Sequence, residues 1–203
     1  MIKVYFAPRS RSLRVLWALE EMGLEYEAVP ASFREPTPEF LATNPTRTIP
    51  ALVDGPVVMT ESVAILQYLG DRYGPTELTV KPDEAAYPDY LQFLVLGEAG
   101  LGAPLNAVLG TRFFGPEDQQ QNFTVGLVIE GFLRRLKLVD RQLADGREFL
   151  AADRFTLADI SVGWTVGLGG FLGLTDKIAP EVLAYHQRLT ERPAYQRAAA
   201  VGA

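Results

Sequence analysis

Residues 49–73 spell IPALVDGPVVMTESVAILQYLGDRY, two short apolar runs followed by a helical pattern. The runs flank Asp54-Gly55, a dipeptide typical of a tight β-hairpin, and the first strand of the hairpin is expected to begin at Ile49. Thr60-Glu61-Ser62 supplies side chains suited to a helix start, and the apolar residues beyond it recur at helical spacing until Gly74-Pro75. The segment therefore predicts a hairpin and then a helix.

The residues before this segment predict a βαβ unit. Residues 2–7 are β-branched and aromatic, and Pro8 follows them. Residues 12–22 contain no Gly or Pro and end at Gly23, as a helix with a glycine C-cap does. Residues 26–29 form a second short strand. A parallel βαβ crossover followed by a hairpin and a helix predicts a small mixed sheet with helices packed on it, over residues 1–76.

The second half of the chain predicts an all-helical domain. Residues 74–89 contain Gly74, Pro75, Pro82 and Pro88 with charged residues between them, so we expect a linker at 77–87. Few strand-like alternations follow, and we expect the second domain to be residues 88–203. Long helical patterns dominate it, at approximately 88–110, 117–144, 156–172 and 179–200.

Composition excludes several kinds of chemistry. The 203 residues include no cysteine and one histidine, His186, so disulfides, cysteine-ligated metals, a cysteine nucleophile and a multi-histidine metal site are ruled out. The net charge is −6 and no basic block is present, which argues against nucleic-acid binding. The glycine-broken apolar run 160–174 is shorter than the ~20 residues that span a bilayer. We expect a cytoplasmic protein with no metal and no membrane partner.

Pro50 opens a predicted strand, where a residue without an N–H is tolerated. By base rate the Ile49–Pro50 bond is trans, since only ~5–6% of bonds before proline are cis. A cis bond would instead turn the preceding backbone outward. The N–H and C=O of Ile49 could then pair with the peptide backbone of a ligand.

Thr60-Glu61-Ser62 is either a plain helix cap or an anion site. In the second interpretation, the free N–H groups at the helix start hold a carboxylate, and the Ser62 hydroxyl donates to it. Glu61 would accept a hydrogen bond from an ammonium beside that carboxylate. Such an arrangement matches the head group of an α-amino acid.

Residues 8–12, Pro-Arg-Ser-Arg-Ser, join the first strand to the first helix. They form either a capped turn with solvated arginines or a polar, positively charged pocket. In the pocket, Ser10 and Ser12 donate hydrogen bonds while Arg9 and Arg11 stabilise an anion. Such surroundings would lower the pKa of a bound thiol from its ordinary value of ~8.5.

Residues 155–160, Phe-Thr-Leu-Ala-Asp-Ile, predict a structural helix start. Thr156 and Asp159 have the spacing of a capping box, with Asp in place of the usual Glu or Gln. Phe155 and Ile160 have the spacing of a hydrophobic staple. We expect this segment to matter for folding and not for chemistry.

Together these segments resemble the cytosolic glutathione transferase family over nearly the whole chain, in its bacterial-type branch without a catalytic cysteine. The similarity is carried by Pro8-x-Ser-x-Ser-Leu-Arg-Val-Leu-Trp-Ala-Leu-Glu-Glu21, by Asn44-Pro45-x4-Ile49-Pro50-Ala51-Leu52-Val53-Asp54-Gly55, by Thr60-Glu61-Ser62-x2-Ile65-x2-Tyr68-Leu69, and by Asp153-Arg154-Phe155-Thr156-x2-Asp159-Ile160. The resemblance implies a thioredoxin-like N-terminal domain, a helical C-terminal domain and a homodimer.

The resemblance also implies glutathione as the bound thiol. By position, Ile49 pairs with the cysteinyl backbone before a cis Pro50, which reverses the base-rate expectation. Glu61 and Ser62 hold the γ-glutamyl end. Thr48 stands where many relatives have a lysine before the Ile/Val-Pro pair. The resemblance thus implies a glutathione-binding set of Thr48, Ile49, Pro50, Glu61 and Ser62.

The catalytic residue departs from the family pattern. Arg9 stands where many serine-type members have the activating serine, and Arg11 stands where cysteine-type members have a cysteine. We therefore expect Ser10, then Ser12, to activate the thiol, with Arg11 as an electrostatic helper, and Tyr5 to be core. The second-substrate pocket implied by the family would take its lining from Leu101, Phe113, Phe114 and Trp164.

The function that follows is transfer of the glutathione thiolate to small hydrophobic electrophiles, as in detoxification. Two alternatives remain at this stage. One is a non-catalytic glutathione- or ligand-binding protein of the same fold. The other is a glutathione-dependent peroxidase, disulfide reductase or isomerase, because these reactions use the same thiolate.

Overall fold

The four strands form one mixed sheet in the order β2-β1-β3-β4 in the computed structural model, which describes residues 1–202. They are β1 (Ile2–Phe6), β2 (Tyr26–Pro30), β3 (Ala51–Asp54) and β4 (Val57–Met59). β1 runs parallel to β2 and antiparallel to β3, and β3 and β4 form the predicted hairpin. This confirms the thioredoxin-like N-terminal domain. The third strand begins at Ala51, two residues later than predicted.

Three helices pack in this N-terminal region: α1 (Ser12–Met22), α2 (Pro38–Thr43) and α3 (Ser62–Arg72). α1 ends at Gly23, whose φ of 63° is left-handed, so the glycine C-cap is confirmed. α2 begins after Thr37, whose Oγ1 accepts a hydrogen bond from the Phe40 N–H at 3.2 Å. α3 starts at Ser62, within the Thr60-Glu61-Ser62 segment predicted to begin a helix.

The helix predicted over 88–110 is three segments. They are α4 (Tyr87–Val95), a wide π-helical turn (Leu96–Gly102) and α5 (Leu105–Phe114). The turn is fixed from the side by a neighbouring helix, α7 (Leu157–Phe171). Ser161 Oγ donates to the Leu94 carbonyl at 2.8 Å, and Thr165 Oγ1 donates to the Gly97 carbonyl at 2.7 Å. Gly97 lies against Ser161 with no room for a Cβ.

The other predicted helices also shift at their ends. α6 (Phe123–Leu143) begins after Asn122, whose side chain caps the Val125 N–H, instead of at 117. The predicted helix 179–200 is two helices, α8 (Pro180–Thr190) and α9 (Pro193–Ala200). Pro193 explains the break, because proline has no N–H for an interior helical bond and suits the first turn of a new helix.

The chain divides into two compact units, and α9 belongs to the first. Unit 1 holds residues 1–79 and the residues from 190 onward, and unit 2 holds residues 80–189. The predicted domain 88–203 is therefore corrected at its C-terminal end, and the division falls inside the predicted linker 77–87.

Contacts between α9 and α1 explain this correction. The rings of Tyr195 and Trp17 meet edge to face at 4.9 Å. Arg192 donates to both carboxylate oxygens of Glu21, at 2.6 and 2.8 Å. Arg197 Nε donates to Glu20 at 2.6 Å. We call this set of contacts the α9 clasp.

Unit 2 is helical, as predicted, and its core is organised by α7. The predicted capping box between Thr156 and Asp159 is present. Asp159 is fully buried and accepts hydrogen bonds from the N–H groups of Leu150 and Thr156 and from the Tyr185 hydroxyl. Burial raises the pKa of Asp159 to about 6, although these hydrogen bonds act to lower it.

The helical residues Tyr87–Phe114 are long and apolar enough, by length and composition, to cross a membrane. They number 28, with a mean hydropathy of 1.4 in the most apolar window. Core helices of soluble proteins meet the same criteria. Here Tyr90, Phe93 and Leu101 are at most 1% exposed, and α4 packs on α7 within unit 2. The expected absence of a membrane partner remains a prediction.

Candidate functional site

Ser10 and Ser12 form a hydroxyl pair in the turn that leads into α1. Their Oγ atoms lie 2.7 Å apart, and Ser10 Oγ also accepts the Ser12 N–H at 3.2 Å. Ser12 Oγ lies 3.2 Å from the Ala7 carbonyl and 3.4 Å from the Ala7 N–H. Ser12 is 1% exposed, whereas Ser10 is partly accessible. Ser10 is therefore the hydroxyl that a ligand can reach.

The orientation of this pair determines which proton is available. Ser12 has one proton, which it gives either to the Ala7 carbonyl at 3.2 Å or to Ser10 across the 2.7 Å contact. When it donates to Ser10, Ser10 Oγ accepts two hydrogen bonds, one from the Ser12 hydroxyl and one from the Ser12 N–H. A serine oxygen has two acceptor sites and one proton to give. Both acceptor sites are then used, and the Ser10 proton is free to reach an anion outside the turn.

The two arginines of this segment occupy different environments. Arg9 is exposed and has a left-handed φ of 60°. Arg11 is half-buried at the N-cap position of α1, where its side chain makes no capping hydrogen bond. Either cation would stabilise an anion held at Ser10 by charge.

The Ile49–Pro50 peptide is cis. The base-rate expectation of a trans bond is wrong, and the expectation from the family resemblance is confirmed. Ile49 is 5% exposed and packs its side chain with Tyr5, Phe40 and Ala51. Among residues 1–202, no other backbone group pairs with the N–H or C=O of Ile49. Both groups therefore suit the backbone of an extended ligand.

The loop before Ile49 is held by a buried amide. Asn44 is 1% exposed and donates to the Thr48 carbonyl at 2.7 Å and to Thr48 Oγ1 at 3.2 Å. Thr46 Oγ1 donates to Asn44 Oδ1 at 2.7 Å. The side chain of Thr48, predicted to contact glutathione, thus makes hydrogen bonds within its own loop. Arg47 between them is exposed, with a left-handed φ of 59°.

The start of α3 is not a plain cap. Glu61 occupies the N-cap position with φ 62° and ψ 97°, and its side chain makes no capping hydrogen bond. A non-glycine residue with such a φ costs about 1–2 kcal/mol. Strain of this kind is concentrated at ligand sites. Ser62 follows at the first helical position, 3% exposed, and its Oγ accepts a hydrogen bond from Arg14 Nη1 at 3.1 Å.

These three segments meet at the C-terminal end of β1. Tyr5 pairs with Ala51 in the antiparallel ladder, so Ile49, two residues before Ala51, lies at the end of the sheet where β1 continues into Ala7. Ser12 contacts both polar groups of the Ala7 backbone. Arg14 joins α1 to Ser62 at the start of α3. Unit 1 thus places hydroxyls, a free backbone edge and a helix N-terminus at one end of its sheet.

Two residues of this site escaped sequence reasoning. Arg14 is fully buried, and its sequence signal was a charged residue on the apolar face of a helix. Arg47 is the one Lys or Arg between residues 35 and 71, so a count of basic residues along the chain could have identified it. Tyr5 is core, as predicted: its hydroxyl donates to Glu39 at 2.9 Å.

The second-substrate candidates all lie in unit 2 and differ in exposure. Leu101 is fully buried and Trp164 is 8% exposed, whereas Phe113 and Phe114 are 55% and 72% exposed. Phe113 stacks on Phe171, with ring centroids 5.8 Å apart. The two accessible rings are the ones able to contact a ligand directly.

The remaining titratable candidates do not form a metal site. His186 is largely buried, which lowers its pKa, and it lies against Gly167 in unit 2. Within residues 1–202, no group of three or more His, Asp or Glu side chains is arranged to hold a metal ion.

Comparison with known proteins agrees with this geometry. The family described as "Glutathione S-transferase, N-terminal domain" matches residues 1–71. Glutathione S-transferase 1 of Zea mays is 32% identical over 214 residues, covering 98% of this chain and 96% of the relative. Disulfide-bond oxidoreductase YfcG of Escherichia coli (strain K12) is 28% identical, covering 96% of this chain and 92% of the relative.

A solved structure extends the similarity to the whole fold. A glutathione transferase family member from Pseudomonas fluorescens, crystallised with two glutathione bound, superposes with a TM-score of 0.82 at 30% identity. The match covers 98% of this chain and 92% of the other. With the cis Ile49–Pro50 bond and the Glu61–Ser62 helix start in place, the chain belongs to the glutathione S-transferase family.

Proposed function

We propose that the chain binds glutathione at the C-terminal end of β1 and transfers its thiolate to small hydrophobic electrophiles. One observation carries this proposal: Ile49, before a cis proline and without a backbone partner among residues 1–202, lies at the same end of the sheet as the turn of Ser10 and Ser12. A cysteinyl residue paired with Ile49 as an added strand would carry its sulfur beside those hydroxyls.

The γ-glutamyl end would bind at the start of α3. Its α-carboxylate is attracted by the positive helix terminus and accepts hydrogen bonds from the first N–H groups and the Ser62 hydroxyl. Glu61 is exposed and accepts from the neighbouring ammonium. Arg47, near Ile49 at the opposite end of the peptide, provides charge for the glycyl carboxylate.

The chemical step needs a thiolate and a positioned electrophile. Ser10 donates its proton to the sulfur as a hydrogen bond, which favours the anion over the neutral thiol, and Arg11 adds positive charge. The thiol proton leaves to solvent. The sulfur then forms a bond to carbon, and the leaving group departs with its electron pair. No covalent bond to the protein forms, and catalysis comes from proximity and thiolate stabilisation.

The wider proposal is a cytoplasmic homodimeric detoxification enzyme without a metal. Phe113 and Phe114 are its accessible contacts for an apolar electrophile. Size-exclusion chromatography with light scattering tests the dimer.

The primary test is calorimetric titration with glutathione, followed by turnover of chlorodinitrobenzene. We expect saturable binding, turnover, and loss of binding in Glu61→Ala. Binding without turnover of this or other electrophiles and peroxides would instead favour a ligand-binding protein. A folded protein that fails to bind glutathione would contradict both.

A second candidate is glutathione-dependent disulfide reduction, supported by the similarity to disulfide-bond oxidoreductase YfcG. Because the chain has no cysteine, both sulfur reductants must be glutathione. The first thiolate attacks the disulfide and releases one thiol, and a second glutathione attacks the mixed disulfide to give the second thiol and glutathione disulfide. Formation of glutathione disulfide from glutathione as hydroxyethyl disulfide is reduced, measured beside aryl halide turnover, ranks the two activities.

A further inference from the structure

We propose that Arg14 is a positioning residue for the glutathione α-carboxylate, acting through the hydroxyl of Ser62. This inference rests on the proposed function. It concerns a buried cation that makes no contact with the ligand in the scheme above.

The hydrogen bond between Arg14 and Ser62 can run in one direction only. Arg14 Nη1 and Ser62 Oγ lie 3.1 Å apart. A guanidinium can only donate, so Ser62 must accept with its oxygen. The Ser62 proton is then not used in this contact. It remains available for an acceptor at the start of α3, which is where the carboxylate would bind.

Both partners of this hydrogen bond are buried. Arg14 is fully buried and Ser62 is 3% exposed. A charge-assisted hydrogen bond in such surroundings is stronger than a neutral one in water. The contact therefore fixes the Ser62 rotamer before the ligand arrives, which reduces the entropy that binding must remove. The positive charge also adds to the attraction of the α3 N-terminus for an anion.

Arg14 is also close in sequence to Ser10, the hydroxyl proposed to face the thiol. Arg14 lies in the first turn of α1, four residues after Ser10, which belongs to the turn that leads into this helix. The start of α1 thus holds the group that orients Ser62 and follows directly from the thiol-facing hydroxyl. Arg14 thus lies between the proposed binding points of the thiol and of the α-carboxylate. Its partner Ser62 is 48 residues away in sequence.

The test is a double-mutant cycle on glutathione affinity with Arg14→Met and Ser62→Ala. We expect each single variant to raise the glutathione Kd about tenfold or more, and the double variant to be little worse than either. Arg14→Lys keeps a buried donor and should recover part of the affinity. Arg72→Met, an exposed arginine at the other end of α3, is the matched control and should leave the Kd unchanged.

A ligand comparison separates positioning from a general structural role. Cysteinylglycine lacks the γ-glutamyl group, so Arg14→Met should change its Kd by less than about twofold. Equal weakening of both ligands, or additive effects in the cycle, would overturn the inference. If Arg14→Met does not fold by circular dichroism, Arg14→Lys and Ser62→Ala with the two ligands decide it. A wild-type protein that does not bind glutathione would refute the proposed function itself, and this inference with it.

Discussion

Removing the Ser10 hydroxyl should raise the pKa of the thiol of bound glutathione. The structure leaves the Ser10 proton free when its oxygen accepts from the Ser12 hydroxyl at 2.7 Å and the Ser12 N–H at 3.2 Å. A hydrogen bond to a charged group contributes about 1.5–3 kcal/mol. One pKa unit corresponds to about 1.4 kcal/mol, so Ser10→Ala should raise the thiol pKa by about one to two units.

The measurement is the ultraviolet absorbance of the thiolate in glutathione-saturated protein, titrated with pH. At a pH below both thiol pKa values the thiolate fraction, and turnover with it, should fall about ten- to a hundredfold, while the glutathione Kd changes little. Thr43→Val removes a hydroxyl from α2 and is the matched control, with no expected shift.

Two results would refute this reasoning. An unchanged thiol pKa in Ser10→Ala would show that Ser10 does not donate to the sulfur. A larger shift in Ser12→Ala than in Ser10→Ala would reverse the order of the two hydroxyls, since Ser12 is expected to act only by holding Ser10. In that case Ser12 would be the donor, despite being 1% exposed.

Three further predictions concern the pH dependence of stability, the fold and ligand specificity. Burial raises the pKa of Asp159 to about 6, so between pH ~4 and ~6 the folded state keeps the carboxyl proton that the unfolded state loses. The free energy of unfolding of the wild type, measured with urea, should therefore decrease as pH rises through this range and level off above it, in contrast to that of Asp159→Asn. Glu21→Ala removes the acceptor of Arg192 in the α9 clasp and should lower the free energy of unfolding by about 2 kcal/mol, whereas Glu21→Gln should cost less. Arg47→Ala should weaken glutathione by up to about fivefold, because an exposed ion pair contributes at most about 1 kcal/mol, and should leave the affinity for γ-glutamylcysteine, which lacks the glycyl carboxylate, unchanged.

The parts of the fold that local chemistry controls could be predicted from the sequence. Gly55, which the Asp54-Gly55 signal placed in a hairpin, forms the β3–β4 turn together with Pro56, and Gly23 ends α1, because each signal acts within a few residues. The capping box of Thr156 and Asp159 is equally local. At the site, such signals predicted that Ser10, Ser12 and Ser62 lie at helix starts.

Long-range contacts could not be predicted in this way. Nothing near Leu96 indicates a π-helical turn, because the side chains that fix it, Ser161 and Thr165, lie more than sixty residues away. Pro193 indicates a break between α8 and α9, but the return of α9 to unit 1 depends on partners in α1. Burial of Arg14 is a further case, since its partner belongs to another helix.

The α9 clasp holds α1, the helix whose start lies between the two ends of the site. It contacts the C-terminal part of α1 through Glu20 and Glu21. Ser10 lies in the turn before α1, and Arg14 lies in the first turn of the helix. If α1 positions both groups as one rigid element, loosening the clasp by Glu21→Ala should raise the thiol pKa and the glutathione Kd together. Ser10→Ala should change mainly the first quantity and Arg14→Met mainly the second. A Glu21→Ala protein that is destabilised but has an unchanged thiol pKa and glutathione Kd would show instead that the turn before α1 and the Arg14–Ser62 hydrogen bond hold the site without the clasp.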